Sequence, residues 1–190
     1  MLRRLRFELS YFGRPPWDRG ISPPELEEYV SQHPAGRAID LGCGTGTHSI
    51  TLARAGWQVT AIDFAGRAIR KAQAKAAHAG LNIQFIAGDV TKYQSGTGAF
   101  ELALDIGCFH GVGDRQLYMD NLLRLLRGGG HWLLYGFHRQ PGAGPRPGLT
   151  PQDIDRANAL LKLVWRRDGV DQRNRPSSWF LFERTSAGEA

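Results

Sequence analysis

The chain has 190 residues, 42% of them apolar and 22% charged, enough for one domain with a real core and too apolar for a disordered segment. It contains no apolar run of the ~18 residues that a membrane span requires, and the basic start, residues 1–8, has no apolar stretch behind it, which argues against a secretory signal. The two cysteines, Cys43 and Cys108, lack ligand or disulfide spacing, so a reducing cytoplasm is the expected compartment and no metal site is expected.

The balance is basic, with 24 Lys and Arg against 18 Asp and Glu, a net charge of +6. The arginines are scattered, with small clusters at Arg3-Arg4-Arg6, Arg166-Arg167 and Arg173-Arg175. A solvated surface explains such scatter better than a nucleic-acid face, so a nucleic-acid partner is not expected.

In chain order, residues 1–30 do not follow a strand–helix rhythm and read as an added cap, with a helix opening near Pro23-Pro24-Glu25. Short apolar runs then alternate with amphipathic stretches, the pattern of an α/β fold. Strands are predicted at 38–41, 58–63, 82–87, 101–106 and 131–137. Helices are predicted at 45–55, 65–79 and 115–126, the last stopped by Gly128-Gly129-Gly130. Residues 140–148, rich in Pro and Gly, must be a surface loop. Thr150, Pro151 and Asp153 mark a further helix start, and the apolar runs at 160–166 and 178–183 form a returning strand pair. The expectation is a single doubly wound, seven-stranded, mostly parallel sheet ending in an antiparallel strand, with helical crossovers. Residues 1–30 would be its cap, 31–139 its ligand-binding core, and 149–190 its terminal helix and strand pair.

In such sheets ligands gather at the carboxyl ends of the strands. The first strand ends in Asp40, followed by Gly42, Cys43, Gly44, Thr45 and Gly46; glycines there let a ligand approach the backbone, and the next helix aims free N–H groups at it. The second strand ends in Asp63, an acid able to accept both hydroxyls of a ribose. The third is followed by Gly88 and Asp89, and the fourth ends near Asp105, ahead of Gly107, Cys108 and His110. These four strand ends indicate a nucleotide-like ligand. The glycine spacing is not G-x-G-x-x-G, since Thr47 stands where the third glycine would be and Gly46 lies one residue early. An acid at Asp40, beside that turn, suits a positively charged group better than a pyrophosphate.

Residues 40–46, with Asp63, Gly88-Asp89-Val90, Asp105 and Gly128-Gly129-Gly130, resemble the motifs of class I S-adenosylmethionine-dependent methyltransferases over roughly residues 36–137. The resemblance implies S-adenosylmethionine as cofactor. The glycine loop (Asp40, Gly42, Cys43, Gly44) would hold its methionine part, Asp63 with Phe64 its ribose, and Asp89 with Val90 its adenine, with Asp105 and Gly107 completing the site. The segment from Tyr11 to Gly20, containing Trp17, is similar to the lead-in of the thiol, thiopurine, halide and tellurite methyltransferases, where it folds over the cofactor. An aromatic face stabilises a sulfonium, and a closed lid keeps water from the nucleophile. A small-molecule acceptor follows, a thiol, chalcogen or halide, with Tyr11, Trp17, His110 and Tyr118 as its expected contacts. A neutral hydroxyl or thiol acceptor would need a base, for which His110 is the expected candidate, and an O- or N-methyltransferase using it is the alternative reading. A protein that binds the cofactor without turnover is the third possibility.

Overall fold

The computed structural model describes residues 7–140, 142 and 147–186. Seven strands form one sheet in the order β3-β2-β1-β4-β5-β7-β6, and the chain divides into two compact units, residues 1–93 and 94–190.

The first unit holds α1 (Pro24–Gln32), β1 (Arg37–Leu41), α2 (Thr47–Arg54), β2 (Gln58–Asp63), α3 (Gly66–His78) and β3 (Gln84–Ala87). Its strands pair in parallel, β1 with β2 and β2 with β3. β1 and β2 are buried after their first residue, as apolar strands covered on both faces must be. The alanine-rich α3 forms readily and buries Ala68, Ile69, Ala72 and Ala76. α2 opens at Thr47, two residues later than expected, because Gly46 adopts a left-handed conformation with φ 77°. A β-carbon at Gly46 would lie 2.8 Å from Cβ of Ala72 and 3.1 Å from the ring of Phe85. The early glycine therefore performs the close-packing task that the dinucleotide pattern gives to its third glycine.

The second unit holds β4 (Phe100–Ile106), a short 3-10 turn (Phe109–Gly111), α4 (Arg115–Leu125), β5 (Leu126–Phe137), α5 (Pro151–Leu160), β6 (Lys162–Val170) and β7 (Pro176–Glu183). β4 and β5 run parallel, and β7 lies antiparallel between β5 and β6. Leu102, Leu104, Trp132, Leu133, Phe180 and Phe182 form its buried centre, with the Trp132 and Phe182 rings stacked 5.5 Å apart. β6, the edge strand, is almost wholly exposed.

Two expectations are corrected. The link from β3 to β4, residues 88–99, contains no helix; instead the Asp89 carboxylate accepts from the N–H and hydroxyl of Thr91 and closes a turn. The glycine triplet 128–130 does not follow a helix across a loop but lies within β5, which starts directly after α4. No helix among the described residues is long and apolar enough to cross a membrane.

Candidate functional site

In the first unit the loop after β1 is held from below. The N–H groups of Gly42 and Cys43 both donate to the carbonyl of Ile62 at 2.8 and 3.0 Å, and Gly44 N–H donates to Asp63 Oδ2 at 3.0 Å. The other oxygen of Asp63 accepts from Ala65 N–H at 2.8 Å. Each Asp63 oxygen keeps a second lone pair for a ligand hydroxyl. Burial raises the Asp63 pKa, opposed by those two backbone donors. Asp40 is buried, and its Oδ2 accepts from the Ser49 hydroxyl on α2 at 2.6 Å. Cys43 is buried with its thiol directed at the Gly44 carbonyl, a packing position. Asp89 is exposed at the end of β3 and Val90 is buried beside it.

The leading segment docks on this loop. Tyr11 is buried, and a β-carbon at Gly44 would lie 3.1 Å from its hydroxyl. Trp17 Nε1 donates to that hydroxyl at 3.2 Å while the indole stays 52% exposed. Phe7 links Trp17 to Phe64, with ring centroids 5.6 and 5.1 Å away. Asp18 Oδ2 accepts from the Thr45 hydroxyl at 2.9 Å, and Lys75 donates to the same hydroxyl at 2.5 Å. Ser22 bonds Thr51 at 2.8 Å and His48 Nδ1 at 3.1 Å, both on α2. Burial, with the Asp63 carboxylate next, lifts the Tyr11 phenol well above its usual range, so it stays protonated. Burial also pushes His48 down to about 4, against the pull of Asp18, so this imidazole is neutral at pH 7.

In the second unit the loop after β4 is built on Asp105, which is completely buried. Its carboxylate accepts from Cys108 N–H at 2.8 Å, Phe109 N–H at 2.9 Å and the Tyr118 hydroxyl at 2.6 Å. Burial raises its pKa to about 7 despite those donors. Tyr118, expected at the acceptor, is buried with its hydroxyl directed at Asp105. Gly107, with φ 89°, turns the chain so that its N–H meets the Tyr135 carbonyl at 3.0 Å. His110 is 8% exposed and packs on Phe137, ring centroids 4.0 Å apart. Its carbonyl accepts from Arg115 Nη2 at 2.9 Å and from Gly148 N–H at 3.0 Å. Arg115 also reaches the Gly148 carbonyl at 2.9 Å and pairs with Asp153, which closes the capping box of α5 with the N-cap Thr150.

The first unit thus brings together Tyr11, Trp17, Asp40, Gly42, Cys43, Gly44, Asp63 and Phe64, and the second brings together Asp105, Gly107, His110 and Tyr118. Sequence reasoning missed Glu8, Ser22, His48, Lys75 and Arg115. Their hydrogen-bond partners lie 26 to 59 positions away, apart from the His110 carbonyl, five positions from Arg115, so no local pattern marks them. The first unit's cradle is rich in carboxylate, aromatic surface and closely approachable backbone, and can hold a cationic, ribose-bearing ligand.

The Methyltransferase domain family matches residues 38–130. A ubiquinone biosynthesis O-methyltransferase from Xanthomonas axonopodis pv. citri is 32% identical over 127 residues, 65% of this chain and 53% of that protein. The chain thus spans about half the length of the curated relatives it matches. A solved structure described as the conversion of a disulfide bond into a thioacetal group during echinomycin biosynthesis superposes with a TM-score of 0.82 at 21% identity, covering 100% of this chain and 94% of that one. The N-methyltransferase NodS from Bradyrhizobium japonicum, in complex with S-adenosylhomocysteine, gives a TM-score of 0.80 at 19% identity, covering 95% of this chain and 97% of the other. At these identities the two structures speak for the fold.

Proposed function

We propose that this chain, a member of the class I S-adenosylmethionine-dependent methyltransferases, transfers the cofactor's methyl group to a small soft nucleophile, a thiol, chalcogen or halide. One observation carries the reading: residues 7–22 are seated on the cofactor loop by Tyr11 over Gly44, Trp17 on Tyr11, and Asp18 on Thr45. Such a cover excludes water and gives a sulfonium an aromatic neighbour, the two things an in-line displacement needs from its protein.

The residues fit the cofactor. Asp63 has lone pairs to spare for a ribose, Asp40 and Asp63 supply the negative charge a sulfonium and an amine favour, and the glycine loop admits close approach. Phe64, Asp89 and Val90 would take the adenosine, with Asp105 and Gly107 shaping the loop after β4. When bound, S-adenosylmethionine supplies an electrophilic methyl group and leaves as S-adenosylhomocysteine. The chain's part is to align the acceptor and keep it dry; an anionic nucleophile needs no proton removed.

A second reading, an O- or N-methyltransferase with a histidine base, is favoured by the 32% identity to an O-methyltransferase and by the fixed loop that carries His110. Release of S-adenosylhomocysteine, followed over iodide, sulfide, selenite, 2-mercaptoethanol, catechol and simple amines, separates the two. Turnover confined to the soft nucleophiles supports the first reading, and turnover confined to catechol or amines replaces it with the second. Tight cofactor binding without any turnover would point to a protein that binds and does not catalyse.

A further inference from the structure

The leading segment has a second apolar side. Residues 7–10 are helical, and the turn runs on to Phe12, whose N–H donates to the Leu9 carbonyl at 3.1 Å. Within this turn Tyr11 is buried in a small core with Ala65 and Ala68. Leu9 and Phe12 are instead 55% and 64% exposed. Three positions apart on a helical turn, they are neighbours on one face. An adjacent pair of large apolar side chains in water marks a surface that a partner covers.

The charge beside the pair has one sign. α3 reads GRAIRKAQAKAAH and contains no acid, and its Arg70, Lys71 and Lys75 are exposed. The Arg67 guanidinium carbon lies 3.5 Å from the centre of the Phe12 ring, and Lys71 donates to the Gly13 carbonyl at 2.8 Å. The cations therefore stand directly against the apolar pair. The acids of the segment are engaged elsewhere. Glu8 accepts from the Gly66 and Arg67 N–H groups, and Asp18 accepts from Thr45 and lies 4.0 Å from Lys75. The sequence ahead continues both features: Leu2 and Leu5 precede Leu9 at intervals of three and four, with Arg3, Arg4 and Arg6 among them. Apolar residues recurring so, with basic residues between them, are the sequence mark of a membrane-surface segment.

We infer that Leu9 and Phe12, with Arg67, Arg70 and Lys71, form a docking surface for an anionic phospholipid bilayer. The two apolar side chains enter the boundary between headgroups and acyl chains, and the cations meet the phosphates above it. This is contact with a membrane surface and asks for no spanning helix. A nucleic acid would match the charge but gains nothing from Leu9, and Arg67 already occupies one face of the Phe12 ring. The core of a protein interface is depleted in lysine, whereas Lys71 adjoins this pair. All five residues belong to the first unit, and the inference is independent of the methyl-transfer reading.

The test sediments the full chain with vesicles of phosphatidylcholine alone and of an equal mixture with phosphatidylglycerol. The wild type should bind the mixed vesicles at least about tenfold more tightly than the neutral ones and leave them as salt rises. Leu9→Ser combined with Phe12→Ser should weaken this binding at least about tenfold, and so should Arg70→Glu. Arg54→Glu makes the same change of charge at an exposed residue ending α2 and should weaken it less than about twofold. Urea midpoints confirm that the variants compared are folded. Equal binding to both vesicles, or none to either, would overturn the inference. So would an equal loss in Arg54→Glu and Arg70→Glu, which would mean that net charge alone binds, or no loss in the serine pair. Capture of poly-glutamate by the wild type but not by the serine pair, without vesicle binding, would give the surface to an acidic protein instead.

Discussion

The Glu8 carboxylate caps the helix that opens at Gly66. Its Oε1 accepts from Gly66 N–H at 2.5 Å and its Oε2 from Arg67 N–H at 3.1 Å. α3 has no capping side chain of its own, because its N-cap is Ala65. The leading segment thus supplies both a hydrogen-bond cap and a negative charge at the positive end of the helix dipole. Lys71 returns the contact by donating to the Gly13 carbonyl at 2.8 Å.

Replacing Glu8 by Ala should cost about 1 kcal/mol of stability. Because the same segment carries Tyr11 and Trp17, the variant should also bind S-adenosylhomocysteine more weakly. Urea unfolding and calorimetric titration check the two effects separately. Unchanged affinity in a destabilised variant would show that the segment stabilises the fold without closing the cofactor site.

Arg115 joins three pieces of chain distant in sequence: the His110 carbonyl, the Gly148 carbonyl and the Asp153 carboxylate. Arg115→Met leaves a nearly buried carboxylate without its cation and should destabilise by about 3 kcal/mol. Lysine cannot reproduce a planar fork that serves three acceptors, so Arg115→Lys should recover less than half of the loss. Urea midpoints of the three proteins measure this. Full recovery with lysine would mean that charge alone matters at this position.

Much of this was legible before the structure, and the boundary is instructive. β2 lies where Gln58–Asp63 predicts it, because alternating β-branched residues between a glycine turn and an acid admit little else. α3 is equally plain, an alanine-rich helix between Ala65 and Gly80. The glycine triplet 128–130 misled because its role depends on β4, whose register with β5 shifts between Phe100 and Leu102. The residues around Glu8 and Arg115 were silent for a related reason. A cap or guanidinium clamp that acts across dozens of positions has no period and no local composition. The acids at the strand ends were visible since topology alone brings them to one edge.

Asp105 gives the fold a specific pH dependence. Its pKa is raised to about 7 by burial, above its value in the unfolded chain. The folded state therefore binds the proton more tightly, and the stabilisation is complete below about pH 4 and lost as the pH rises through about 7. Asp105→Asn, which mimics the protonated acid, should gain stability relative to the wild type over that window. Urea unfolding at steps between pH 4 and 8 reads the difference. A constant gap across the range would contradict the assignment.

His48 acts in the opposite sense. Burial holds its pKa at about 4, below the unfolded value, so stability is present above about pH 6.5 and is lost as the pH falls toward 4. His48→Gln should flatten this acid limb. Thermal unfolding between pH 4 and 7 provides the comparison, and an equally steep limb in the variant would show that His48 does not set it.

The loop after β1, closed by Asp63 and covered by residues 7–22, is the proposed seat of S-adenosylmethionine. Calorimetric titration of the cofactor into the full chain, and into Asp63→Asn, tests it most directly. One site is expected in the wild type and an affinity at least about tenfold lower in the variant, whose amide keeps one acceptor but loses the charge. No heat of binding in the wild type, or equal affinity in both proteins, would contradict it.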